Sequence, residues 1–281
     1  MKRITKAMIF AAGYGKRLIP LTEKIPKPLL QLNGKTLLKN CILFLEDCGI
    51  KEIVINVHHL AYQIIEFIEK NKFESKIYIS HEKEKILGTG GGLIYANNNI
   101  INFFHLNESF LTVNPDTLWN SNYTNEFKIL EEWHFKCKTA AFILLLVPKS
   151  NSYEIRKQGD FNLKYPTDDK DIEHKTIGIG GKHYDWMSEI GFVEKNKINN
   201  FIYTGLQIVR PDRTVDGVEN GLYDPRIKSL GLDARNFWTI NENWDQEANI
   251  YGYASKQKFY HVSNLEIFNN LKKENIITYK I

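Results

Sequence analysis

Residues 7–17, Ala7-Met8-Ile9-Phe10-Ala11-Ala12-Gly13-Tyr14-Gly15-Lys16-Arg17, run apolar for six positions and then break on two glycines followed by two cations. The apolar part has the length and composition of a buried strand. Gly13 and Gly15 can adopt positive φ and let backbone N–H groups approach phosphate oxygens, and Lys16 and Arg17 add charge to that turn. Arg17 can hold an oxyanion through two parallel hydrogen bonds. Two phosphate-binding alternatives fail at single positions. A dinucleotide fingerprint requires a third glycine where Leu18 stands, and a P-loop requires Ser or Thr after its lysine, whereas Arg17 follows Lys16.

Working outward, strand and helix patterns alternate. Residues 36–48 carry apolar positions at helical spacing and close on Gly49, 52–57 read as a strand, 61–70 as a helix and 76–80 as a strand. Gly90-Gly91-Gly92 opens a helix over 93–98, and 110–113 is a further strand that ends on Asn114-Pro115-Asp116. This order implies an α/β fold with a mixed, mostly parallel sheet covered by helices on both faces. In the second half, 140–147 and 201–209 read as strands, while 151–182 reads as hairpins and loops. No repeat or linker interrupts the chain. A single domain is expected over 1–281, with a nucleotide-binding half (1–135) and a sugar-phosphate-binding half (136–281).

Composition narrows the function. The chain has 281 residues, a net charge of +4, 16 Phe and 14 Tyr, enough aromatic volume for a sizeable core. The small positive excess suits an anionic small molecule, and no basic tract of the kind that binds nucleic acid is present. No apolar run reaches the ~20 residues of a membrane helix. Cys41, Cys48 and Cys137 form neither a CxxC pair nor an even framework. With no signal peptide legible, reduced thiols and a cytoplasmic location are expected.

One further segment gives the turn at Gly13 its meaning. Pro26-Lys27-Pro28 places a lysine between two prolines that fix the local backbone and remove donors, bracing that suits a lysine aimed at a phosphate. Together these residues resemble the sugar-1-phosphate nucleotidyltransferases. The strand followed by Ala11 to Thr22 and then Pro26 to Pro28 matches that family almost position for position. The resemblance continues through Leu87 to Gly92, Asp116, Tyr203-Thr204-Gly205-Leu206 and Tyr260-His261-Val262-Ser263. Its bacterial N-acetylmuramate-1-phosphate uridylyltransferase branch is the most similar, with mannose- and heptose-1-phosphate guanylyltransferases also similar.

The resemblance implies a Rossmann-like (GT-A-like) nucleotidyltransferase fold and assigns roles residue by residue. Ala11, Ala12, Gly13, Gly15 and Lys16 would surround the nucleotide, Arg17 would hold the β- and γ-phosphates, and Lys27 the α-phosphate. Gly88 and Thr89 would border the base, with Glu82 facing its Watson–Crick edge. Asn114, Asp160, Thr204 and Gly205 would contact the sugar. Asp116 would bind Mg²⁺, a hard ion that prefers oxygen ligands. The family's second metal-binding aspartate is here His261, a softer ligand better suited to Mn²⁺, Zn²⁺ or Co²⁺, with a structural hydrogen bond as its equal alternative. Asp245 is a further metal candidate, and His58-His59 and Glu173-His174 read as surface or packing residues.

The function implied is transfer of a nucleotidyl group from an NTP to a sugar 1-phosphate, with UTP and N-acetylmuramate 1-phosphate as the leading pair. Guanylyl transfer to mannose or heptose 1-phosphate is the alternative within the family. A non-catalytic, nucleotide-sugar-binding regulatory subunit is the alternative of another class, motivated by the missing second aspartate.

Overall fold

A computed structural model describes residues 3–100, 103–105, 107–137, 140–165, 190–213, 250–274 and 276. The strands are β1 (Lys6–Phe10), β2 (Gln31–Leu32), β3 (Lys35–Thr36), β4 (Glu52–Val57), β5 (Lys76–His81), β6 (Phe110–Val113), β7 (Phe142–Pro148), β8 (Asn162–Lys164), β9 (Ile190–Glu194), β10 (Phe201–Val209) and β11 (Ile250–Ala254). The helices are α1 (Leu21–Lys24), α2 (Leu37–Asp47), α3 (Ala61–Lys70), α4 (Gly88–Asn99), α5 (Ser121–Lys136) and α6 (Leu265–Lys273). Asp168 to Lys182, Glu173-His174 and Asp245 lie outside the described residues.

A nine-stranded sheet runs in the order β5-β4-β1-β6-β10-β7-β11-β9-β8, and β2 and β3 form a separate small hairpin. The first four strands are mutually parallel, β10 is antiparallel to both β6 and β7, β11 is parallel to β7, and β9 is antiparallel to its two neighbours. Only β10 and β9 therefore run against the rest, so the sheet is mixed and mostly parallel, as the alternating pattern predicts.

Ala7, Met8 and Ile9 are fully buried because β1 is a central strand with helices on both faces. Ala7 and Ile9 belong to the core formed with α2, α3 and α5, and Met8 to the core beneath Leu93 and Ala96 of α4. α2 starts where Thr36 caps it, its Oγ1 accepting from Lys39 N at 3.0 Å. α4 differs from the sequence reading. The glycine run lies inside the helix, which begins at Gly88, rather than ahead of it. The three cysteines are buried, and no disulfide joins them. No helix among the described residues is long and apolar enough to cross a membrane.

The topology fixes where a ligand can sit. β1 pairs with β4 on one side and β6 on the other, so the connections leaving their carboxyl ends diverge and open a crevice. The register that sets Ile9 opposite Val113 brings the turn after β1 alongside Asn114-Pro115-Asp116.

Candidate nucleotide site

A cleft of about 420 Å³ opens at this crevice. Its walls are the turn after β1 (Phe10 to Gly13 and Gly15 to Leu18), Lys27 and Pro28, Gly88 and Thr89 at the start of α4, and Asn114 to Asp116. The turn is held from below. Gly15 O accepts from Leu18 N at 2.8 Å and from Thr22 Oγ1 at 3.0 Å. Gly15 has φ +64°, and a Cβ there would lie 2.8 Å from Thr22 Cγ2 and 3.2 Å from Lys27 Cβ. A side chain is excluded on both counts, so the turn can close directly onto the Lys27 segment. Lys16 and Arg17 are exposed on the cleft wall.

Lys27 sits in a single 3₁₀ turn (Lys27–Leu29) between its two prolines, with Leu29 N donating to Pro26 O at 2.8 Å. Its Nζ forms an ion pair with Asp116 Oδ2, the two side chains being 15% and 18% exposed. The segment 260–262 runs antiparallel to 116–118, through Leu118 N to Tyr260 O and Val262 N to Asp116 O, both 2.9 Å. This pairing places His261 Nε2 at 3.1 Å from the same Asp116 oxygen. Burial alone would push the Asp116 carboxyl up, but the Lys27 charge and the His261 hydrogen bond outweigh it and hold the acid well below the usual carboxylate range.

His261 Nδ1 lies 3.3 Å from Arg156 Nη2. Arginine only donates, so Nδ1 accepts and Nε2 carries the proton that it gives to Asp116. Both ring nitrogens are thus engaged. That arrangement has His261 donating to Asp116, the hydrogen-bonding alternative to a metal-ligand role. The cause is Arg156, on a loop whose sequence reads only as surface. The other carboxylate oxygen, Asp116 Oδ1, is buried and has no hydrogen-bond partner. A lone hard oxygen on the cleft wall fits a divalent cation completed by phosphate oxygens and water. No cluster of three or more His, Cys, Asp or Glu suited to a metal occurs among the described residues.

Ala11, Ala12, Gly13, Gly15, Lys16, Arg17, Lys27, Gly88, Thr89, Asn114 and Asp116 all line this one cleft. Four others do not. Glu82 is 1% exposed beneath it, with Oε1 accepting from Asn56 Nδ2 at 2.7 Å and Oε2 from Leu87 N at 2.9 Å. Buried and absent from the cleft lining, Glu82 presents no carboxylate oxygen to a base edge here. Thr204 is buried, its hydroxyl donating to Leu145 O at 2.8 Å, and Gly205 backs Asn114 by accepting from Asn114 N at 2.9 Å. Asp160 accepts from Tyr203 N at 2.9 Å and lies 3.8 Å from Arg156 Nη1, away from the cleft lining.

Three residues escaped sequence reasoning. Asn56 lines the cleft, and its signal was a polar residue inside the apolar strand β4. Ser263 lines it with a buried hydroxyl that has no hydrogen-bond partner; it ends the segment Tyr260 to Ser263, in which the resemblance gives a role to His261 alone. Arg156 is the third, legible only through its contact with His261.

A model of the nucleotidyl transferase family matches residues 6–161, more than half of the chain. The N-acetylmuramate alpha-1-phosphate uridylyltransferase of Neisseria meningitidis serogroup B is 37% identical over 124 residues, 44% of this chain and 52% of that protein. Mannose-1-phosphate guanylyltransferase 1 of Arabidopsis thaliana is 33% identical over 117 residues, 39% of this chain and 32% of that protein. The matched stretch thus spans about half or less of those two relatives. The N-acetylmuramate alpha-1-phosphate uridylyltransferase of Caulobacter vibrioides is 25% identical over 236 residues, 82% of this chain and 85% of that protein. Among solved structures, a UDP-glucose pyrophosphorylase complexed with UDP-glucose superposes with a TM-score of 0.65 at 16% identity, covering 96% of this chain and 98% of that one, so the fold is shared. The family match falls on the strand, the glycine turn and the acid that build the cleft, and the chain belongs to the nucleotidyl transferase family.

Proposed function

We propose that this chain transfers a nucleotidyl group from a nucleoside triphosphate to a sugar 1-phosphate. An oxygen of the sugar phosphate attacks the α-phosphorus, the bond from that phosphorus to the α–β bridging oxygen breaks, and pyrophosphate leaves. The nucleophile is already anionic, so no general base is needed and positioning with charge neutralisation carries the rate. The observation that carries the reading is the Lys27–Asp116 pair lining the same cleft as the glycine turn with Lys16 and Arg17.

In this reading the backbone of Ala11 to Gly15 and the Arg17 guanidinium hold the phosphates, and Lys27 meets charge as it builds at the α-phosphorus. Asn114, backed by Gly205, faces the acceptor. Asp116, through its unpartnered Oδ1, would hold the divalent cation, Mg²⁺ by the hardness of its oxygen. When bound, that ion neutralises triphosphate charge. A binding-only regulatory subunit would have no use for a lysine held on the metal-binding acid, which favours the catalytic reading.

The named function of the Neisseria and Caulobacter relatives supports UTP and N-acetylmuramate 1-phosphate as substrates. That of the Arabidopsis relative supports GTP and mannose 1-phosphate equally. Pyrophosphate release, measured with each of the four ribonucleoside triphosphates against a panel of sugar 1-phosphates, separates them. Release with UTP and the muramic acid derivative alone supports the first pair, and release with GTP and mannose 1-phosphate replaces it. No release with any pair would sink the transfer reading.

A further inference from the structure

Three elements of the cleft are joined from beneath by a buried chain of hydrogen bonds. Ala11 N, in the glycine turn, donates to Asn56 Oδ1 at 2.9 Å. Asn56 Nδ2 donates to Glu82 Oε1 at 2.7 Å, and Leu87 N, at the start of α4, donates to Glu82 Oε2 at 2.9 Å. Asn56 and Glu82 are 2% and 1% exposed. The polarity is fixed along the whole chain. Ala11 N–H requires an oxygen, which turns the Asn56 amide so that its nitrogen faces Glu82, and two donors then converge on a residue that must accept twice. Glutamate meets that demand and glutamine does not.

A second tie runs from the same residue. His58 Nδ1 lies 2.6 Å from Glu82 O, and His58 Nε2 lies 3.0 Å from the Tyr14 hydroxyl. A carbonyl only accepts, so Nδ1 carries the proton and Nε2 accepts from Tyr14. Glu82 is therefore linked to the glycine turn at Ala11 through Asn56 and at Tyr14 through His58. From the other side, α4 approaches so closely that a Cβ at Gly92 would lie 2.6 Å from Glu82 Oε1 and 2.9 Å from Asn56 Nδ2. This close approach is the physical reason position 92 of the helix takes glycine.

We infer that Asn56 and Glu82 form a strut that sets the separation between the phosphate-binding turn and the start of α4, making Glu82 a positioning residue for the nucleotide rather than a reader of its base. The inference rests on the nucleotide-binding reading of the cleft. The strut touches no base, so its loss should weaken every triphosphate alike.

Calorimetric titration of the full chain with UTP, GTP, ATP and CTP, beside melting curves, tests this. Glu82→Gln should raise Kd for each triphosphate by a similar factor, roughly tenfold or more, and leave their ranking unchanged. Gly92→Ala should do the same by displacing the strut from above. Asn56→Asp combined with Glu82→Gln reverses the donors and acceptors between the two side chains while still presenting an oxygen to Ala11 N and to Leu87 N. This double variant should recover most of the affinity lost by Glu82→Gln alone, a coupling that a base contact would not produce. Loss confined to one base, melting shifts with every Kd unchanged, or no recovery in the double variant each overturn the strut. Wild-type protein that binds triphosphates with this pattern but releases no pyrophosphate would sink the transfer reading and leave the strut standing.

Discussion

Lys27 and Asp116, 89 residues apart in sequence, form an ion pair on the cleft wall, and His261 donates to the same carboxylate oxygen. The pair is mostly shielded from water, so each partner matters to the other. Lys27→Ala should lower kcat by about 10²–10³, the cost of removing one preorganised charge from a transition state, and change the triphosphate KM much less. Steady-state kinetics read this directly. A raised KM with kcat intact would assign Lys27 to ground-state binding alone.

Asp116→Asn should weaken Mn²⁺ binding, followed by electron paramagnetic resonance, at least about tenfold, because the side chain that presents the unpartnered Oδ1 loses its negative charge. His261→Gln should weaken it less, since both imidazole nitrogens are engaged by Asp116 and Arg156. Equal losses in the two variants would restore His261 as a ligand.

Arg17→Lys should reduce kcat/KM about tenfold, roughly 1.4 kcal/mol, since an ammonium cannot reproduce the two-pronged guanidinium grip on phosphate oxygens. Unchanged kinetics would place Arg17 outside the phosphate site.

His134 gives a pH dependence separate from the cleft. Its ring is buried, Nε2 lies 2.8 Å from Ser109 Oγ, and burial together with the nearby Arg210 charge lowers its pKa from 6.5 to about 3. The folded state therefore favours the neutral ring, and the unfolded chain binds the extra proton between those values. Its stability contribution is complete above pH 6.5 and falls as the pH drops toward 3, by at most ~1.4 kcal/mol per pH unit. Melting temperature against pH should be flatter in His134→Gln than in wild type over pH 4–6.5. Parallel curves would contradict the assignment.

Local rules made the first half of the fold legible. The apolar run at β1, the helical spacing of α2 and the breaks at Gly13 and Gly15 each had one physical reading, and the fold followed from their alternation. The start of α4 was missed because glycine propensity argues against helix, and the contacts that leave no room for a side chain at Gly92 come from Glu82 and Asn56, outside the helix. The cleft was legible wherever a residue sits in the turn after a strand, as Arg17 and Asp116 do. It was illegible where partners come from distant segments. Glu82 read as a partner for the base because Asn56, which binds its carboxylate, comes from β4, 26 residues away. His261 looked like a metal ligand because Arg156, which takes its second nitrogen, is 105 residues away.

Nucleotidyl transfer onto a sugar phosphate is read out by the fate of the α-phosphate. The full chain is incubated with Mg²⁺, sugar 1-phosphate and triphosphate labelled at the α-phosphorus, with UTP and GTP run separately. The label should appear in a product that contains both nucleoside and sugar, with one equivalent of unlabelled pyrophosphate released and the Lys27→Ala variant greatly slowed. Label remaining in the triphosphate, or released as nucleoside monophosphate whether or not sugar 1-phosphate is present, would contradict the account.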